Sequence, residues 1–371
     1  MMDRRVFTLA GAAMALTPAG AVSAQSRRRG RAAQSPAPRA SVIDAMAIGG
    51  AGSVDGPEVL AAGMDALVLD LTIFPRAPTQ ATTALENWNA FEGAADSKVR
   101  LVRAKGDLER ARAEGKLAVI VACQDANIVG PSVISYSDLN LETFRGHHAK
   151  GLRVLQLTHN ERSPAGDGFM EPTDGGLSLL GAALIWEMEA AGGLIDLSHC
   201  SPRTTLEAIE HARGPIAVTH AGCRALYDTP RNKSDEMIRK LADKGGFFGV
   251  FMMSRWLTAA DHSSVEDVVD HIDHAVRVGG VDCVGFGSDQ PAMGDSRDQA
   301  TKVANLADYQ RRNLGRAGAE PLAGHVTCAD MDGPDRMQVL DAALRRRGYG
   351  DTDRAKILGG NFARVLEASL K

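Results

Sequence analysis

The chain has 371 residues, 44% hydrophobic side chains and a net charge of -4, and it contains no apolar run long enough to cross a bilayer. It therefore has the composition of a soluble protein with one large core or two smaller ones. The near-neutral charge and 5% aromatic content argue against a nucleic-acid surface, which needs a basic face and stacking rings.

Met1 to Ala24 has a charged start, a short mildly apolar stretch and the small residues Val22, Ser23 and Ala24, which is the pattern of a cleaved export signal. The pair Arg4-Arg5 before Val6-Phe7 resembles a twin-arginine signal, so a periplasmic or secreted location is expected. Residues 25–40, "QSRRRGRAAQSPAPRA", are rich in Arg, Pro and Ala without apolar periodicity and read as a disordered linker. Arg27, Arg28, Arg29 and Arg31 in this tail are the sole grounds for nucleic-acid or membrane-surface contact. The folded domain is expected over residues 41–371.

From Ser41 onward, short apolar runs alternate with longer amphipathic ones, the mark of a parallel α/β architecture. The runs are "VIDAMAI", "ALVLDLTI", "KLAVIVAC", "RVLQLTH", "GLIDLSH", "PIAVTHA", "GFFGVFMM" and "CVGFGSD". Eight such strands close a (β/α)8 TIM barrel. Alternation along the first run places Asp44, Met46 and Ile48 on one inward face.

Between the runs, "SPRTTLEAIEHARG" offers Ser201 as N-cap, Pro202 at the first helical position, Leu206 and Ile209 on one face and Gly214 as a stop. "SDEMIRKLADKGG" repeats the device with Ser234 and Gly245. Residues 290–333 look irregular, and two closing helices follow. An open doubly wound sheet is disfavoured because no Gly-rich phosphate loop follows the first strand.

Barrel active sites lie at the C-terminal mouth, so the last residue of each strand is where chemistry is expected. The expected third strand ends at Gln124, the fourth at His159, the fifth at His199, the sixth at His220 and the eighth at Asp289. Ile195, Leu197 and His199 share a direction by alternation, as do Ile216, Val218 and His220, which aims both histidines into one mouth. Two imidazoles on adjacent strands suit a divalent metal, zinc above all, with a carboxylate or water completing the shell. Asp289 is then the proton acceptor, and His159 the group that stabilises a substrate carbonyl oxygen. A lone buried histidine more often only hydrogen-bonds, but three at equivalent positions favour the functional reading.

His147, His148, His211, His262, His271 and His274 fall in helix-like segments and read as packing or surface residues, while His325 stays open. Five cysteines, Cys123, Cys200, Cys223, Cys283 and Cys328, are too few for a disulfide framework. Cys200 and Cys223 could pair or add a ligand, although buried unreacted thiols are the commoner outcome.

The motifs "GGLIDLSHCS", "PIAVTHAGCRALYDTPRNKSDEMIRKLADKGGFFGV" and "HIDHAVRVGGVDCVGFGSD", joined by "LQLTHNERSPAGDG" and "RRRGYGDTDRAKILGGNFARVLE", resemble the membrane (renal) dipeptidase family of zinc peptidases. The resemblance runs through nearly the whole mature chain. It implies an amidohydrolase-like barrel that cleaves dipeptides with a hydroxide held between two zinc ions, and a homodimer. Carried over by position, His199 and His220 match the ligands of one metal and His159 the histidine that holds the tetrahedral intermediate. Arg231 matches the arginine that binds the substrate carboxylate, and Asp289 the acid that shuttles the proton.

The departures are equally specific. The family carries His-x-Asp at the end of the first strand, where this chain has Met46 and Ile48, and the bridging Glu is replaced by Gln124, a neutral amide that is a weak ligand at best. Asp125 is adjacent, but alternation points it away. The expectation is one zinc ion or none. The chain reads as an exported dipeptidase-like metallohydrolase. The alternative is a non-hydrolytic relative that binds or modifies a small amino-acid-like metabolite without a metal.

Overall fold

The computed structural model describes residues 40–54, 56–71, 77–131, 138–260, 262–294 and 327–371. The signal and linker expectations for residues 1–39, and His325, lie outside the described residues.

Ten strands form one parallel sheet. They are β1 (Ile43–Ile48), β2 (Ala66–Asp70), β3 (Val99–Leu101), β4 (Leu117–Cys123), β5 (Leu152–Gln156), β6 (Leu194–Asp196), β7 (Ala217–Ala221), β8 (Phe247–Val250), β9 (Val284–Phe286) and β10 (Gln290–Pro291). The order is β10-β1-β2-β4-β5-β6-β7-β8-β9, with β3 paired to β4. β9 lies within the expected eighth strand, whereas β10 begins at Gln290, one residue past its expected end at Asp289 and inside the stretch expected to be irregular. β9 pairs with β8 and β10 with β1, so together they join the two edges of the sheet. All eight expected runs contain strands of the (β/α)8 barrel, and β3 and β10 are additions that the sequence did not mark.

Alternation sorts the side chains into two cores. Ala66 and Val68, Ala118, Ile120 and Ala122, Val154, Leu194, Ala217 and Phe247 fill the inside of the barrel. Leu67 and Leu69, Val119 and Val121, Leu155, Ile195, Val218 and Phe248 pack outward against the helices. Phe362, Val365 and Leu366 of the last helix, Asn361–Ser369, and Leu370 just after it belong to the inner cluster, with the Phe362 ring 5.1 Å from that of Phe247, so this helix plugs one end. It is the second expected closing helix, broken by a π turn over Lys356–Gly360 where Gly359 (φ 156°) presses its backbone against Ile43.

The caps follow from the sequence. Ser201 accepts from the Thr204 amide at the start of helix Pro202–His211, and Ser234 from the Met237 amide at the start of helix Asp235–Asp243. Two details differ from expectation. The first of these helices ends at His211, with Ala212 as its C-cap, before Gly214 is reached, and it buries Thr204, Thr205, Ala208 and Ile209, leaving Leu206 half-exposed. His262 lies ahead of helix Val265–Gly279 and not within it. No helix among the described residues is long and apolar enough to cross a membrane.

Candidate active site

The mouth of the barrel is polar because its strands change chemistry toward their C-terminal ends. Asp70, Gln156, Asp196, Ser198 and Thr219 are all buried there. Asp196 organises one side. Its Oδ1 accepts from the Ser198 amide (3.0 Å), the Ser198 hydroxyl (2.5 Å) and the Thr219 amide (2.9 Å), and its Oδ2 accepts from the Thr219 hydroxyl (2.6 Å).

His199 and His220 do meet in one mouth, but not for the reason that alternation gives. Ile195, Leu197, Ile216 and Val218 point out of the barrel into the helix layer. His199 escapes their direction because β6 ends at Asp196 and the chain turns at Ser198–Cys200. His220 escapes it because β7 holds one extra residue between Val218 and Ala221 relative to β8, so Thr219 and His220 both turn toward the interior. Such bulges re-aim side chains beside active sites.

The two rings are fixed at their far sides. His199 Nδ1 lies 2.7 Å from Asn160 Oδ1, and His220 Nδ1 lies 2.8 Å from the Thr219 hydroxyl, whose own proton goes to Asp196. Both Nδ1 atoms are therefore donors. Burial, reinforced by Arg231, pushes both imidazoles well below the ordinary histidine value, so each is neutral. Each Nε2 is left with a lone pair, and the two Nε2 atoms face each other at 3.0 Å. Asp289 Oδ1 is 3.9 Å from His220 Nε2.

Two buried acceptors at that distance repel unless a cation lies between them. Nitrogens bound to one tetrahedral zinc at about 2.0–2.1 Å are about 3.3 Å apart, close to the spacing seen. The ligand atoms of His199, His220 and Asp289 all lie within 4.8 Å of one another, the one such group among the described residues. The donor set thus fits one divalent cation. It does not fit a second: Met46 packs in the inner apolar cluster, Ile48 is half-buried, and neither offers a hard donor.

Asp289 holds a left-handed backbone conformation (φ 58°), and its amide donates to the Met46 carbonyl at 2.8 Å. Burial raises its carboxyl to about 6, with Arg231 and Arg255 pulling the other way. The half-buried His159 ring stacks on His199 with centroids 4.3 Å apart. Gln124 follows the inward positions Ala118, Ile120 and Ala122, is buried at the end of β4, and accepts from Gln156 through its carbonyl at 2.7 Å. Asp125 instead caps the turn over Ala126–Val129.

Arg231 is deeper than a surface carboxylate clamp. It is fully buried and donates to the carbonyls of Ser198 (2.7 Å) and His220 (2.9 Å), behind the histidines, with the rings of Phe251, Trp256 and Phe169 around its guanidinium. All five cysteines are buried free thiols, which removes a Cys200–Cys223 bridge. Cys200 is pushed up to about 11 by burial, and neither cysteine joins the His199 group.

Sequence reasoning missed Asn160, Thr219 and Asp196, which hold the ligand rings. Their signal was adjacency: Asn160 follows His159, Thr219 precedes His220, and Asp196 lies three residues before His199.

The family model described as membrane dipeptidase (peptidase family M19) matches residues 49–314. An uncharacterised dipeptidase of Schizosaccharomyces pombe is 30% identical over 184 residues, 48% of this chain and 42% of that protein. The chain spans about half the length of the curated relatives it matches first. Among solved structures, an amidohydrolase from Pseudomonas aeruginosa superposes with TM-score 0.76 at 24% identity, covering 89% of this chain and 97% of that one. A metallopeptidase from Rhodobacter sphaeroides, solved with a phosphinate mimic of L-Ala-D-Ala, gives 0.68 at 19% identity over 90% and 100%. At these identities the structures establish the shared barrel fold.

Proposed function

This chain belongs to the membrane dipeptidase family, and from that premise we propose that it is a dipeptidase-like hydrolase of small amides working with one divalent cation. The observation that carries the reading is the pair of neutral imidazoles whose Nε2 lone pairs face each other at 3.0 Å beside Asp289. His199, His220 and Asp289 would hold the cation, with Gln124 as a weak further donor. When bound, a zinc-like ion supplies Lewis acidity toward an amide carbonyl.

The chain's own groups do the rest. Asp289 accepts a proton from the attacking water as its oxygen bonds to the carbonyl carbon, and returns that proton to the amine nitrogen as the C–N bond breaks. His159, stacked on His199 at the mouth, donates toward the carbonyl oxygen as charge develops on it. Arg231 places a fixed positive charge behind the site and attracts the substrate carboxylate.

Met46, Ile48 and Gln124 favour a second reading, a binder of small amino-acid-like molecules that no longer hydrolyses them. Metal analysis of the purified chain together with a panel of L,L and L,D dipeptides separates the two. The hydrolase is expected to carry at most one zinc per chain and to lose zinc and turnover in His199→Ala and His220→Ala. No bound metal and no turnover, even with added zinc, would leave only the second reading. Export by the Arg4-Arg5 signal is part of the proposal, and Arg4→Lys with Arg5→Lys is expected to retain the protein in the cytoplasm on fractionation.

A further inference from the structure

Asp196 and Thr219 are fully buried beside His220, and their contacts decide which nitrogen of that ring is free. Asp196 Oδ1 is occupied by three donors, from Ser198 and Thr219, while Oδ2 takes only the Thr219 hydroxyl among the contacts that hold it. Because that hydroxyl gives its proton to Asp196, it meets His220 Nδ1 as an acceptor. The bulge in β7 puts relay and ring on consecutive residues. Gly249 on β8 and Gly287 just after β9 close the arrangement, since a Cβ at either would overlap the Thr219 carbonyl.

We propose that Asp196 and Thr219 form a one-way relay that positions His220, holding its proton on Nδ1 so that Nε2 is presented as a ligand opposite His199. Asn160 does the same for His199 through a single contact. The functional consequence rests on the one-cation reading above; the location of the proton does not. Metal-ligating histidines depend on such partners, whose loss typically lowers metal affinity about 10- to 100-fold.

Asp196→Asn tests the direction of the relay. The asparagine oxygen can keep the three donors now on Oδ1, while its amide takes the place of Oδ2 and donates to Thr219. The hydroxyl is then left two acceptors, His220 Nδ1 at 2.8 Å and Ser198 Oγ at 3.2 Å; the shorter contact favours donation to Nδ1, and the ring proton moves to Nε2. Long-range proton–nitrogen spectra of the histidine-labelled full chain are expected to show Nδ1–H in the wild type and Nε2–H in D196N. Competition titration with zinc is expected to show the roughly 10- to 100-fold loss. Thr219→Val breaks the relay without reversing it, giving mixed tautomers and the same loss, and Thr219→Ser restores both; this pair serves if D196N does not fold.

A ring that keeps its proton on Nδ1 in D196N or T219V overturns the proposal, as does zinc affinity in these variants equal to that of a zinc-binding wild type. A proton that moves in a protein that never binds zinc upholds the relay and defeats the one-cation reading.

Discussion

Lys233 shows how far a single side chain can depart from its usual chemistry in this site. It is buried, its Nζ donates to the Cys200 carbonyl (2.8 Å) and the Thr205 hydroxyl (3.0 Å), and so it ties the segment after Arg231 to the turn that carries His199. Burial lowers its amine from the ordinary 10.5 to about 7, with Arg231 adding to the shift and Cys200, Asp196 and Asp174 opposing it. Between those two values the unfolded chain holds a proton that the folded chain has released, so stability rises with pH across that window and the cost of the buried charge is complete below it. Lys233→Met removes the titration. In urea unfolding, the wild type is expected to gain on K233M as pH climbs from 7 toward 10.5, by up to about 1.4 kcal/mol per pH unit. A difference independent of pH would mean that the amine keeps its ordinary value.

At the scale of the strand, the decisive feature is an extra residue. β7 carries one where His220 turns inward, and β1 carries one between Asp44 and Ala47 relative to β2. In β1 the result is that Ala45 and Met46 both enter the inner cluster, while Asp44, in register with the outward Leu67, faces the outer layer and Arg336. The expectation that Asp44, Met46 and Ile48 share the inward face fails at this bulge. The same bulge that would aim a ligand is thus present at Met46 without the ligand. Met46→His, Ile48→Asp and Gln124→Glu together are therefore expected to raise bound zinc from at most one to about two per chain, the second ion needing His and carboxylate donors. Metal content unchanged by all three substitutions would show that the β1 backbone does not aim these positions at the mouth.

A buried ion pair reinforces the seam where β10 closes the barrel against β1. Asp44 accepts from the Ser288 amide (2.8 Å) and from Arg336 Nη1 (3.5 Å), while Arg336 also donates to the Ser288 hydroxyl (2.8 Å) and to the Pro291 carbonyl (2.5 Å). It joins β1, the segment between β9 and β10, and helix Arg336–Arg346 around the residue next to Asp289. Arg336→Met strands a buried carboxylate and is expected to cost about 3–5 kcal/mol in urea unfolding. Asp44→Asn combined with Arg336→Met is expected to cost less than the sum of the single changes, and additive costs would mean that the pair does not act as a unit.

The sequence by itself determined the eight barrel strands, the Ser201 and Ser234 caps, and the residue types gathered at the mouth, because apolar periodicity and capping are local properties of the chain. It also exposed the missing donors at Met46, Ile48 and Gln124, since side-chain chemistry is readable without coordinates. Only the tertiary structure decided where those side chains point. A bulge is defined by the neighbouring strand, so no reading of β1 or β7 alone reveals that Met46 and His220 break alternation. The contacts of Arg231 with His220, Thr219 with Asp196 and Arg336 with Asp44 join residues 11 to 292 positions apart, pairings set by the barrel's closure rather than by any local pattern.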